Sequence, residues 1–157
     1  MRRTVSLSGV PRSAITFLAP DRLEYMDPVA GRVASPQIRA QKGTMAMYHV
    51  NAEHLPGNEI ARTFEGGAHG PASVSFFLVH NQPGQGPQLH QHPYDETFII
   101  LEGRVLVRVG DETVEGGPGD IVVGPPDTPH GFTNLGPERA RLVCIHAAPV
   151  MQTTWVQ

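Results

Sequence analysis

Between Gln88 and Gly103 the chain reads QLHQHPYDETFIILEG. Two imidazoles stand one residue apart, and a carboxylate follows four positions after the second. On a β-strand residues i and i+2 point to the same face, so His90 and His92 project side by side and could share a metal ion. Pro93, Tyr94 and Asp95 read as a turn, after which Glu96 opens the next strand and can return its carboxylate to the same point. The competing reading is a solvated strand face. An H-x-H pair alone is a weak motif in a chain with eight histidines among 157 residues.

The elements that must position these groups are short and β-rich. Runs of β-branched and aromatic residues cover 43–50, 73–80, 97–103, 104–110, 120–124, 130–134 and 141–147. The clearest hairpin is RVLVRV, the turn Gly110–Asp111–Glu112, and TVEGG. Gly/Pro clusters (NQPGQGP, EGGPGD, GPPDTP) separate the strands, and no segment of comparable length has a helical period. Strands and turns at this spacing form two packed sheets or a closed barrel, whose interior can hold a ligand. Residues 1–42, broken by prolines at 11, 20, 28 and 36, read as an extended N-terminal arm, and 43–157 as the barrel domain.

The frame around the histidines carries more weight than the pair itself. It runs Gly84, five residues, His90, one, His92, three, Glu96, six, Gly103. A second block follows: Gly119, five residues, Pro125, four, His130, three, Asn134. These two blocks resemble the paired motifs of the cupin superfamily. The first matches at every fixed position, and the second departs only where the family's glycine is Asp127, in a loop where aspartate can adopt left-handed backbone geometry.

The resemblance implies an all-β cupin jelly-roll barrel, or double-stranded β-helix. It also implies one divalent transition metal held by His90, His92, Glu96 and His130. Imidazole with carboxylate suits Fe2+, which we favour, and equally Mn2+, Ni2+, Co2+, Cu2+ or Zn2+. A tetrahedral metal with four protein ligands is closed, whereas an octahedral one keeps two positions for substrate or dioxygen. The expected activity is that of a metal-dependent enzyme on a small organic substrate, first a non-haem iron dioxygenase. The alternatives are a non-redox isomerase, cyclase or lyase, and a non-catalytic small-molecule binder. Phe76, Phe98 and Phe132 are expected to line the substrate pocket, with Tyr48, Tyr94 and His146 as polar or acid–base groups. Asn134 is expected to shape a turn or support a ligand.

Composition excludes other classes. A net charge of −3, with eleven arginines and one lysine, offers no basic field for nucleic acid or an anionic membrane, and no apolar run approaches a membrane span. Lone Cys144 in an apolar run reads as a buried thiol in a reducing compartment, and the N-terminus lacks a signal-peptide core, so a cytoplasmic protein is expected. A homodimer is expected, with the arm adding to a neighbour's sheet and Trp155 docking there or on its own sheet.

Overall fold

The structure is a computed structural model describing residues 47–70 and 72–156. The arm and the start of the 43–50 run therefore lie outside the described residues. Ten strands are present among those described: β1 Ala61–Phe64, β2 Ser75–Asn81, β3 His90–Gln91, β4 Glu96–Glu102, β5 Val105–Val109, β6 Glu112–Gly116, β7 Ile121–Gly124, β8 His130–Asn134, β9 Ala140–His146 and β10 Thr154–Trp155. They form two five-stranded sheets, β1-β2-β9-β4-β7 and β10-β3-β8-β5-β6, paired antiparallel throughout. This is the expected jelly-roll architecture, with a single three-residue 3-10 turn at Ala52–His54 as its only helix among the described residues.

Local sequence explains most of these elements. The expected hairpin forms in register, Val107 opposite Val114, and turns at Gly110 and Asp111. Gly103 turns β4 into β5 at φ 81°, a conformation that strains any side chain. Asp127 adopts φ 53°, the left-handed geometry the family's glycine would supply, and its amide donates to the His92 carbonyl at 2.7 Å. Asn134 holds a turn and ligates nothing. Its amide group donates to the carbonyls of Asn81 (3.0 Å) and Glu138 (2.9 Å), and its oxygen accepts from the Gly136 amide (2.8 Å).

The strand period of two separates core from chemistry along single strands. Inward positions of β4 run Glu96, Phe98, Ile100, and those of β9 run His146, Cys144, Leu142, Ala140, all buried. One end of the barrel is thus an apolar core closed by Val105, Val107 and Phe132, and the other end is lined by titratable groups. Each of Phe98, Ile100 and Leu142 contributes on the order of 1.5–3 kcal/mol by its burial. That packing is what holds β4 and β9 in register at their polar ends.

Two expectations fail, one for want of a strand and one on strand parity. Residues 47–50 form no strand and run over the outer face of the first sheet. Phe76, on β2 between inward Ser75 and Phe77, points outward and stacks on Phe64 at 4.6 Å, so it does not line the barrel interior. Tyr48 meets Phe64 and His69 edge-on in the same outer cluster. Tyr48, Leu55, Phe64, Phe76 and Leu78 line a groove of about 570 Å³ on that face, separate from the histidines.

Candidate metal centre

His90, His92, Glu96 and His130 come together at the polar end of the barrel. Their ligand atoms all lie within 4.8 Å of one another, and all four residues are buried. β3 and β8 bring His90 opposite His130, and the loop after β3 carries His92 past the turn to Glu96 at the start of β4. The three imidazole Nε2 atoms converge on Glu96 Oε2, at 2.9 Å from His130, 3.1 Å from His92 and 3.5 Å from His90.

Hydrogen bonds on the far side of each ring decide what these contacts mean. Nδ1 of His90 donates to the Gln88 carbonyl (2.7 Å), Nδ1 of His130 to the Thr128 carbonyl (2.8 Å), and Nδ1 of His92 to the Gln152 carbonyl (2.6 Å). A neutral imidazole that donates through Nδ1 presents a lone pair at Nε2. Three lone pairs and a carboxylate converging on one point repel unless a cation lies among them. Burial pushes the Glu96 carboxyl up, yet His130, His90 and His92 crowded around it and the proximity of His146 outweigh it, holding the group well below the usual carboxylate range and leaving an ionised carboxylate for the cation. The donor set therefore fits a divalent transition metal, with backbone carbonyls fixing each ring as outer-shell partners do at metal sites.

Phe98 and Phe132 form the floor. Phe98 meets His130 edge-on at 5.8 Å and Phe132 at 5.9 Å, and both are buried. Tyr94 is brought to the centre by its ring, which lies parallel to His92 at 5.3 Å, while its hydroxyl accepts from the Gln152 amide at 2.7 Å and donates to the Gln152 carbonyl. His146 is brought there fully. It pairs with Glu96 across β9 and β4, its Nε2 is 3.4 Å from Glu96 Oε1, and its ring meets His92 at 4.6 Å and Phe77 at 5.3 Å. It differs from the three ligand histidines in one respect: neither ring nitrogen has a hydrogen-bond partner, although the residue is only 1% exposed.

The comparisons with known proteins agree with this geometry. The Cupin_2 family, described as Cupin domain, matches residues 77–146, from β2 to the end of β9. The described strands have the cupin fold. Among curated relatives, this chain is 37% identical over 82 residues to "Polyketide synthase CurC" of Streptomyces cyaneus, covering 52% of this chain and 53% of that protein. The chain spans about half the length of the curated relatives it matches. Among solved structures, oxalate decarboxylase from Bacillus subtilis aligns with a TM-score of 0.64 at 20% identity, over 73% of this chain and 33% of that one. A protein from Klebsiella pneumoniae with a double-stranded β-helix domain aligns with a TM-score of 0.55 at 23% identity, over 67% and 92% of the two chains. No helix among the described residues is long and apolar enough to cross a membrane.

Two supports of the cluster escaped sequence reading. Gly124, on β7 opposite Glu96, leaves room for a ligand ring, since a Cβ there would lie 2.9 Å from His130 Nδ1 and 3.2 Å from its Cγ. Gly124→Ala is expected to turn the His130 ring off its Thr128 bond and lower metal affinity by about 10–100-fold, the usual cost of a lost orienting partner. Titration with Co2+ checks this, and unchanged affinity would refute it.

The other support is the C-terminal strap, Met151–Val156. Trp155 pairs with His90 across β10 and β3, with the rings 5.3 Å apart, and Gln152 supplies the carbonyl for His92. That carbonyl comes from sixty residues away, whereas His90 and His130 each use a carbonyl two residues upstream. A chain ending at Val150 is expected to keep its far-ultraviolet circular dichroism and to lose about 10–100-fold in metal affinity. Wild-type affinity in the shortened chain would show the strap to be irrelevant to His92.

Proposed function

We propose that this chain is a metal-dependent enzyme catalysing a non-redox proton-transfer reaction, an isomerisation, cyclisation or lyase step, on a small substrate with an enolisable carbonyl. The observation that carries this reading is His146, a buried imidazole with both nitrogens unpartnered, beside the carboxylate that the three other histidines surround. A redox mechanism needs no such group, whereas abstraction of a proton next to a carbonyl needs a base within reach of the substrate. The likeness to a protein named a polyketide synthase supports the same substrate class, because polyketide chains carry 1,3-dicarbonyl units that can chelate a metal through two oxygens.

When bound by His90, His92, Glu96 and His130, a divalent metal supplies Lewis acidity to a carbonyl oxygen. The chain's own residues do the rest. Phe98 and Phe132 exclude water from beneath the ligands and leave an apolar floor for the carbon skeleton. Burial is the largest influence on His146 and brings it down to about 4, against the opposing pull of Glu96, so the ring is uncharged at neutral pH and can accept a proton. The proton leaves the carbon next to the carbonyl for an imidazole nitrogen, the C–H electron pair moves toward the carbonyl, and the same nitrogen returns the proton at a neighbouring position.

The iron dioxygenase reading shares the ligand set and differs in needing dioxygen. Protein loaded with Zn2+ under strict anaerobic conditions is expected to turn over members of a panel of 1,3-dicarbonyl acids, followed by exchange of the acidic C–H for deuterium. Turnover confined to Fe2+ and dioxygen would replace this proposal with the oxygenase.

A further inference from the structure

The segment between β9 and β10 passes from the first sheet to the second at the end of the barrel that holds the ligands, because it starts at His146 and finishes opposite His90. Along the way it is tied to the first sheet's side of the molecule. The buried Ser75 hydroxyl donates to the Ala148 carbonyl (2.8 Å), the Gly67 amide donates to the Pro149 carbonyl (2.7 Å), and Glu65 Oε1 accepts from the Met151 amide (3.1 Å). On the second sheet's side the Val156 amide donates to the Leu89 carbonyl at 3.0 Å.

Gln152, between these fixed points, is an exposed residue, and it is met by two side chains two positions apart, His92 and Tyr94. The Tyr94 hydroxyl accepts from the Gln152 amide at 2.7 Å and donates to the Gln152 carbonyl at 3.2 Å. That same carbonyl accepts from His92 Nδ1 at 2.6 Å. A carbonyl oxygen has two lone pairs, so it serves both donors at once. One phenol thus holds the peptide groups on both sides of the Gln152 α-carbon, as the facing residue of an antiparallel pair would, and that sets the direction of the carbonyl. The hydroxyl's single proton is committed to this bond, so Tyr94 acts through His92 and not on a substrate.

We propose that Tyr94 is a positioning residue of the metal centre: its hydroxyl fixes the Gln152 carbonyl, and the carbonyl fixes the tautomer and ring angle of His92, keeping the Nε2 lone pair directed at the cluster. His90 and His130 need no such help, because their acceptors lie two residues upstream on the same local backbone. The acceptor of His92 comes from sixty residues away on an exposed segment, which opens at little cost unless it is tied. Ring and hydroxyl have separate tasks. The Tyr94 ring covers one face of the imidazole, parallel to it within 1°, while the hydroxyl governs what its Nδ1 meets. The inference rests on the four-ligand set and is independent of the reaction catalysed.

The test uses the full chain and Tyr94→Phe, which keeps the ring and removes both hydroxyl bonds. Affinity for Co2+ is expected to fall about tenfold. In heteronuclear NMR of the Zn2+-loaded protein the Nδ1–H signal of His92 is expected to move, while those of His90 and His130 stay in place. A ring that only packs would leave all three signals unchanged. Glu65→Ala removes the bond one residue earlier in the segment and spares Tyr94, so it is expected to keep the His92 signal and to hold Co2+ affinity within about threefold. A further measurement needs no substitution: the Gln152 amide of the wild type, with or without metal, is expected to exchange with solvent about tenfold or more slower than an unbonded peptide amide. An unmoved His92 signal, equal losses in Tyr94→Phe and Glu65→Ala, or an unprotected Gln152 amide would each overturn the proposal. A wild type that binds neither Zn2+ nor Co2+ while its Gln152 amide is protected would overturn the ligand set, and the proposal with it.

Discussion

Glu96→Gln is expected to lower affinity for a divalent transition metal by at least about a hundredfold. Glutamine keeps the volume and one acceptor oxygen but removes the only negative charge in a buried cluster of four imidazoles. Removing the carboxylate from a buried metal site leaves the cation's charge less compensated, at a cost of about 3–5 kcal/mol. The amide is also a poor ligand for the metals that imidazole and carboxylate suit. The folded carboxyl lies below its usual range, so its contribution to stability is full above that range and is lost only as pH falls through the depressed folded value. The wild type should therefore keep this contribution in mild acid, and the glutamine variant should lack it at every pH. Calorimetric titration with Co2+ and acid unfolding monitored by circular dichroism read the two effects separately. Binding by the variant within threefold of wild type would remove Glu96 from the ligand set.

His146→Gln is expected to separate binding from turnover. Loss of a general base costs about 10²–10⁴ in kcat, while the four-ligand cluster survives and metal affinity stays within a few-fold. Parallel loss of affinity and activity would make His146 a fifth ligand and end its assignment as the base. The variant also has a signature in stability. In the folded state His146 lies at about 4, against an ordinary 6.5, so between those values the unfolded chain binds more protons than the folded one. Stability then rises with pH through that window and is lost as pH falls from 6.5 toward 4, by on the order of 3 kcal/mol from this residue. Glutamine does not titrate, so the acid-side slope of stability against pH should flatten in His146→Gln. An unchanged slope would mean that burial of this ring does not set its protonation.

The metal centre and the outer face of the first sheet make different demands on the same strands. On β4, inward Glu96 and Phe98 serve the site while outward Thr97 and Ile99 belong to that outer face. On β9, inward His146 and Cys144 alternate with outward Ile145 and Val143 in the same way. Substitutions on the outer face should therefore leave the ligands in place, because successive side chains leave the backbone on opposite sides.

Spacing by itself determined a great deal about this protein. The interval from Gly84 to Gly103 and the recurrence at Gly119 to Asn134 resemble the paired cupin motifs, and that resemblance implied the ligand set and the jelly-roll barrel, while turns and a period of two, both local properties, made the all-β class and the β5–β6 hairpin legible directly. The end of β9 could be read as a place for His146 for the same reason. Which way an isolated run faces is not local. Phe76 and Phe77 are adjacent and chemically identical, and only pairing with β1 and β9 sends one outward to Phe64 and the other inward to His146. Tyr48 was misplaced because its segment has no strand partner to carry it inside. The strap carbonyl of Gln152 and the space at Gly124 have no side-chain signature at all, since a backbone oxygen and a missing methyl group are features every sequence can supply. Residue type and spacing thus name the donors. His90 and His130 are oriented by carbonyls two residues upstream, but tertiary packing decides how His92 is held and which histidine is left unpartnered, because the Gln152 carbonyl comes from sixty residues away and His146 meets Glu96 only when β4 and β9 pair.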